Sequence, residues 1–232
     1  MDILPDWGGQ SYYPISRFYR KNFGERVHKI SVSTAQSCPN REKNHGVGCI
    51  FCDEWGSAGS YAMPEMSLRE QIQINREKLR KRFNVNKFIV YFQSFTNTFM
   101  RLSKLKADIE TALSEDSVEG VVLGTRPDCL PPEIFPLLRD FNEHSFVSVE
   151  LGVQSFLNER LDFLKRGHTA EQSLEAIKRL HEQAGVNVGI HLIFGLPGET
   201  QKEIMQAAEI TSSHPVNNVK LHNLHVLANT PL

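Results

Sequence analysis

The runs GVVLGT (120–125) and VNVGIHLIF (186–194) are apolar almost throughout and leave no regular polar position to meet water. A strand of that kind has both faces covered, as in a parallel sheet flanked by helices. Four further runs rich in β-branched and aromatic residues repeat the theme: RVHKISVST (26–34), KFIVYFQSF (87–95), FVSVELGV (146–153) and VKLHNLHVL (219–227). Helical signatures lie between them. Ser67 with Glu70, Thr169 with Gln172 and Thr200 with Glu203 fit the capping box, in which a hydroxyl and an acid or amide satisfy the first free amides of a helix. LEAIKRL then repeats its apolar positions at helical spacing after Thr169. PPEIFPLLRDF (131–141) opens on prolines that a first turn tolerates, and Pro136 predicts a short or bent helix. The alternation gives a parallel α/β protein. Six units are too few for a closed eight-unit barrel, so the expected fold is a partial, six-unit parallel β/α barrel. Its functional face is the one where loops leave the C-terminal ends of the strands.

The chain has 232 residues and a formal net charge of -1. That length suits one large domain, and that charge gives no global argument for nucleic acid or membrane. No stretch approaches the ~20 apolar residues of a membrane span. The start, MDILPDWGGQSYYP, has neither a basic n-region nor an apolar h-region, and the expected location is the cytoplasm. The last residues, ANTPL, follow an apolar segment directly, and the chain is expected to be a truncated form of a longer protein.

Of the four cysteines, three lie between positions 38 and 52, and Cys129 stands alone. In a reducing compartment, clustered thiols bind metal or do redox chemistry more often than they form bridges. The stretch CPNREKNHGVGCIFC follows the first strand, which puts it on the functional face. Inert structural cysteines sit in apolar elements, not in a polar, glycine-containing loop. Two uses remain. Cys38, Cys49 and Cys52 with His45 could supply four zinc ligands, although only one C-x-x-C pair is present. Alternatively, three thiolates suit a [4Fe-4S] cluster with one iron left open for a substrate or cofactor. The C-x-x-C pair would wrap one side of such a cluster. The long first gap only has to return, and Gly46 and Gly48 ease that turn.

The spacing C-x10-C-x2-C, with Phe51 before the last cysteine, is followed in order by TRPDCL, VELGVQS, LKRGHT and HLIFGLPGE. With CPNR and GCIFC, these motifs resemble the radical S-adenosylmethionine (radical SAM) superfamily. More narrowly they resemble the branch of the Elongator catalytic subunit and related stand-alone bacterial proteins. The resemblance covers residues 26–232, the core domain, and leaves 1–25 as an N-terminal extension. It implies an enzyme with Cys38, Cys49 and Cys52 as ligands of a [4Fe-4S] cluster. The open iron would take the amino and carboxylate groups of S-adenosylmethionine, whose reductive cleavage gives a 5′-deoxyadenosyl radical. A reductant such as flavodoxin or ferredoxin is implied as well.

Further positions follow from the same resemblance. Phe51 would pack near the adenine. The second strand of relatives ends in a GGE-like motif, whereas this chain reads YFQSFTNT, so Gln93, Ser94 and Thr96 are the candidate replacements. Glu150 is a carboxylate in an apolar run, where an unpaired charge is costly. It is read as a partner of the cofactor or of a basic neighbour, Arg166 among them. Gln154 and Arg166 match positions used around the methionine or ribose end, where a guanidinium can fork onto a carboxylate. Gly195 and Gly198 would let backbone approach a flat ring. His191 is either a satisfied core histidine or a cofactor contact. Arg126 and Asp128 end the third strand and could bind cofactor or substrate, and Cys129 is read as an inert buried thiol.

The substrate is less constrained. ISRFYRKNFGERVHK (15–29) mixes Arg17, Arg20, Lys21, Arg26 and Lys29 with Phe18, Tyr19 and Phe23, a pattern that single-stranded RNA recognition uses. The Elongator subunit acts on a tRNA wobble uridine through an acetyltransferase domain that has no counterpart here. The resemblance therefore carries over radical generation, and tRNA base modification is the expected reaction. The alternatives are a radical reaction on a small metabolite, or a non-catalytic iron–sulfur or zinc protein that binds RNA or senses redox state.

Overall fold

The computed structural model describes residues 10–35, 37–43, 46, 48–56 and 65–232. Six strands, β1 (Val27–Val32), β2 (Lys87–Phe92), β3 (Val118–Thr125), β4 (Phe146–Gln154), β5 (Asn187–Phe194) and β6 (Asn218–Asn223), form one sheet in sequential order. Every neighbouring pair is parallel. This is the expected α/β half-barrel.

Side chains alternate across a strand, so each strand has an outer and an inner row. The outer row is apolar. Phe88, Val90 and Phe92 of β2, Val121 and Leu123 of β3, Val147, Val149 and Leu151 of β4, and Val188 and Ile190 of β5 are buried in one cluster. Against them pack Ile72 of α3 (Leu68–Phe83), Ile109 of α4 (Leu102–Leu113), Leu138 of α5 (Ile134–Asn142) and Ile177 of α7 (Ala170–Arg179). The remaining helices are α1 (Ile15–Phe23), α2 (Pro39–Lys43), α6 (Asn158–Phe163) and α8 (Gln201–Ser212). All three capping boxes form: Ser67 starts α3, Thr169 starts α7 and Thr200 starts α8. Helix α7 runs on into one π turn, Leu180–Ala184, closed by Gly185 at φ 64°.

Some boundaries differ from the sequence reading. Strand β2 stops at Phe92, three residues short of the expected end. Asn97 explains this, because its side-chain amide donates to the carbonyls of Phe92, Ser94 and Gly124 and fixes a turn there. Strand β6 stops at Asn223 because its partner β5 leaves the ladder at Gly195, at φ 83°, and only the amide of Leu224 still reaches Phe194. Helix α5 is short, as Pro136 predicts, with nine residues. Pro136 is the third residue of the helix, where an amide has no intrahelical partner to lose.

The largest correction concerns residues 15–29. Tyr19 of α1 is buried with Val27, Ile89, Tyr91 and Val122, and Phe18, Phe23 and Phe146 pack on the same cluster. The rings of Phe18, Tyr19 and Phe23 therefore cover the inner face of the sheet beside the starts of β1 and β4. They pack on Phe146 at centroid distances of 5.6–6.2 Å, Tyr19 buried and Phe18 and Phe23 half-buried. Lys29 is engaged too, by Glu150. Among the described residues no helix is long and apolar enough to cross a membrane.

Candidate functional site

Beyond the apolar cluster under α1 the inner row turns polar, and it opens on a cavity of about 510 Å³ at the C-terminal ends of the strands. Cys38, Cys49 and Cys52 line one part of it, brought there by the loop after β1. Phe51, Gln93, Thr96, Arg126, Glu150, Gln154, Arg166 and His191 line the rest. Volumes of this order suit a small molecule or cofactor.

Three loops are tied together at the cysteines. Asn40, the first residue after Pro39, donates its side-chain amide to the carbonyls of Lys165 and Arg166 at 2.7 and 2.9 Å and lies 3.3 Å from the Cys49 sulfur. Arg166 Nη1 lies 3.1 Å from the same sulfur, while its Nη2 donates to the carbonyl of Gly152 at 2.7 Å. Arg126 forks onto Asp128 at 2.9 and 2.8 Å and donates to the Arg166 carbonyl. Arg41 Nη2 reaches the Cys52 sulfur at 3.6 Å. Burial raises the Cys49 pKa, but the charge and hydrogen bond of Arg166, with Asn40 and Arg126, outweigh it and hold the thiol below its ordinary value. N–H donors aimed at sulfur favour thiolate, the form that ligates metal.

Among the described residues no group of three His, Cys, Asp or Glu side chains is placed to hold a single metal ion. A lone tetrahedral zinc needs its sulfurs ~2.3 Å from one point. A [4Fe-4S] cluster has its own breadth, and three thiols spread around a cavity fit it. His45, the fourth zinc ligand that the sequence offered, lies outside the described residues.

Glu150 is 2 % exposed and fully engaged. Its carboxylate pairs with Lys29 on one oxygen and with His191 Nε2 at 2.8 Å on the other. Burial alone would raise its pKa, but His191 and Lys29 reverse the direction and keep it ionised. Arg166, the partner considered from sequence, is instead committed to Cys49 and Gly152. His191 is the satisfied histidine of its first reading, bonded to Glu150, and it also lines the cavity.

Gln154 sits at φ 69°, where a β4 irregularity breaks register with β5. A non-glycine residue there is strained, and such strain collects at functional sites. Phe51 packs on the buried cluster of Leu164, Ile193 and Leu196, an apolar corner beside the cavity. Gly195 and Gly198 both take positive φ, 83° and 71°, at the β5 turn.

Two candidates fall elsewhere. Ser94 is fully buried and is not among the residues lining the cavity, because Gln93 takes the inner position and Ser94 points to the opposite side. Cys129 is also away from the lining, with its sulfur 3.8 Å from the Asp128 carboxylate, and burial with that charge pushes its pKa up to about 12.

The sequence reading gave no role to Asn40, Arg41, Lys220 or His222. Asn40 and Arg41 stand in CPNR, directly after a ligand cysteine. Lys220 and His222 alternate with Val219 and Leu221 in VKLHNLH, a period-two pattern that marks one face of a strand.

A model of the radical SAM superfamily matches residues 32–210. The Methanocaldococcus jannaschii protein MJ0486 is 37% identical over 218 residues, which is 93% of this chain and 66% of that protein. This chain thus spans about two thirds of that relative's length. A tRNA uridine(34) acetyltransferase of the same organism is 35% identical over 127 residues, 53% of this chain and 22% of the enzyme. Among solved structures, methylornithine synthase (PylB) aligns with a TM-score of 0.60 at 15% identity, covering 96% of this chain and 63% of that one, a likeness of fold. A matched span that begins in β1 and ends in α8, over a half-barrel with three thiols at its mouth, settles the family: the chain belongs to the radical SAM superfamily of enzymes.

Proposed function

We propose that residues 26–232 are the core of a radical SAM enzyme in which Cys38, Cys49 and Cys52 hold a [4Fe-4S] cluster and the adjoining cavity receives S-adenosylmethionine, with residues 1–25 as an extension. The carrying observation is the set of three thiols on one cavity, with Arg166 and Asn40 donating toward Cys49. Bound there and reduced by an external donor, the cluster would supply one-electron chemistry toward the sulfonium cofactor. The chain does the rest. Asn40 and Arg126 pin the 165–166 backbone, which fixes the Arg166 guanidinium beside the sulfur. Phe51 and its apolar neighbours offer a face for a flat ring, and the turn at Gly195 and Gly198 admits backbone next to it. Gln93, Thr96 and Gln154 present polar groups to the cofactor's remaining atoms. The buried walls keep water from the reacting carbon, which such chemistry requires.

The substrate we favour is a tRNA base. The stretch shared with a tRNA uridine(34) acetyltransferase, about half of this chain, supports that reading. A small metabolite is the second reading, favoured by the inward packing of Tyr19 with part of Phe18 and Phe23, which leaves less aromatic surface for RNA.

The test begins with anaerobic purification. Protein with iron and sulfide in equal amounts should release 5′-deoxyadenosine from S-adenosylmethionine when a strong reductant is added. Cys49→Ala should lose cluster and cleavage together while its circular dichroism stays unchanged. Full cluster content in that variant, or a colourless zinc-loaded wild type, would overturn the proposal. Nucleoside mass spectrometry of tRNA from a deletion strain separates the substrates, and an unchanged nucleoside profile would reject the tRNA reading.

A further inference from the structure

The cavity has a second charged region, away from the cysteines. Glu150 is the acid in the middle of the inner face, and both its oxygens are taken by Lys29 and His191. Lys220 is the register partner of His191 on β6 and lines the same cavity. Its ammonium lies 5.2 Å from the Tyr91 ring centroid and, among the described residues, makes no hydrogen bond or ion pair. His222 follows two positions later on the same face, its ring 5.1 Å from that of His191, and its Nε2 is buried without a partner. Two lysines therefore share one carboxylate. With both histidines neutral, the inner face carries a surplus positive charge and an unused ring nitrogen side by side.

A half-buried cation with only a share in one carboxylate is poorly compensated, and an orphaned ring nitrogen adds to that cost. An oxyanion would relieve both. The position separates this region from the cofactor's carboxylate. That group is expected at the cysteine end beside Arg166 and Arg126, whereas β6 is two strands beyond β4, ~10 Å across the sheet.

We infer that Lys220 and His222 form an oxyanion receptor for a phosphate or carboxylate group of the second substrate, which enters beside S-adenosylmethionine. Lys220 supplies the charge and His222 Nε2–H the direction, and Glu150 holds His191 and Lys29 back from competing for the anion. The inference rests on the proposed placement of the cofactor at the cysteine end.

Calorimetric titration of inorganic phosphate and, separately, of acetate into protein saturated with S-adenosylmethionine tests it, and the preferred anion names the oxyanion class. Lys220→Met and His222→Gln should each weaken binding by about tenfold or more, the worth of a charge-assisted hydrogen bond. Lys220→Arg should retain binding, which guards against loss through misfolding, and affinity for S-adenosylmethionine should be unchanged in all three. The inference fails if wild type binds neither anion, or if the variants titrate like wild type. It also fails if Lys220→Met loses S-adenosylmethionine affinity, which would give the site to the cofactor's own carboxylate. The same titrations on cluster-loaded, reduced protein keep the two claims distinguishable. Anion binding that persists without S-adenosylmethionine cleavage would break the radical reading alone.

Discussion

The two faces of the sheet are built from the same strands and obey opposite rules. On the outer face, Phe92, Leu123, Val149 and Ile190 are fully buried against helices and carry no polar atom in their side chains. On the inner face, one residue away along each strand, stand Gln93, Gly124, Glu150 and His191, lining a cavity. Apolar burial on one side holds the sheet flat against its helices. On the other side, most of the charge is met, Glu150 by Lys29 and His191 and Arg126 by Asp128, and Lys220 is left over. Stability is concentrated on the first face and chemistry on the second. A substitution should therefore report which face it touches.

The sharpest break of that contrast is Leu123→Asp. It places an unpaired carboxylate in the outer core, at a cost of several kcal/mol that takes up most of an ordinary domain's stability. No soluble folded protein is expected, and a cooperative denaturant transition near the wild-type midpoint would refute the division of roles.

Two glycines sharpen the comparison within the inner face. A Cβ on Gly120 would lie 2.1 Å from the Phe146 carbonyl oxygen, a backbone atom of the neighbouring strand, so β3 and β4 must part. Gly120→Ala should destabilise by ~3 kcal/mol, the upper range of overpacking. A Cβ on Gly152 meets Gln154 Nε2 at 2.9 Å and Arg166 Nη2 at 3.0 Å, both the ends of flexible side chains. Gly152→Ala should cost only ~1 kcal/mol but push Arg166 away from Cys49. Urea titration and S-adenosylmethionine affinity read the two effects, and equal destabilisation by both variants would remove the distinction.

The smallest expected effect is a pH limb. Burial, then the charges of Arg166 and Arg126, lower the His168 pKa to about 3, so the folded protein holds this ring neutral. The unfolded chain takes up a proton near its ordinary value of ~6.5. Stability is then fully present above that value and falls with acid down to about 3, because the unfolded state binds the extra proton. His168→Gln should flatten that part of the curve. An unchanged slope of stability between pH 6 and 4 (about the middle of the window) would show that His168 does not titrate there.

Most of the architecture could be read before any coordinates. Continuous apolar runs require a doubly covered parallel sheet, and the capping boxes start helices at Ser67, Thr169 and Thr200 because their hydroxyls serve local amides. Local causes leave local signatures. The cysteine triad was legible for the same reason, its spacing being a property of one loop. Strand ends were less so, since Asn97 stops β2 by reaching carbonyls on two strands. The inward packing of Tyr19, Phe18 and Phe23 was not legible, because composition does not say which way a helix faces.

The sequence by itself determined the order of elements, the parallel half-barrel and the identity of the three thiols, all consequences of short-range pattern. Only the tertiary structure decided partnership. It gave Glu150 to Lys29 and His191, gave Arg166 to Cys49, turned Ser94 away from the cavity and left Lys220 and His222 facing it. Each of those outcomes depends on residues from different strands and loops meeting across the inner face, where distance along the chain carries no information about distance in space.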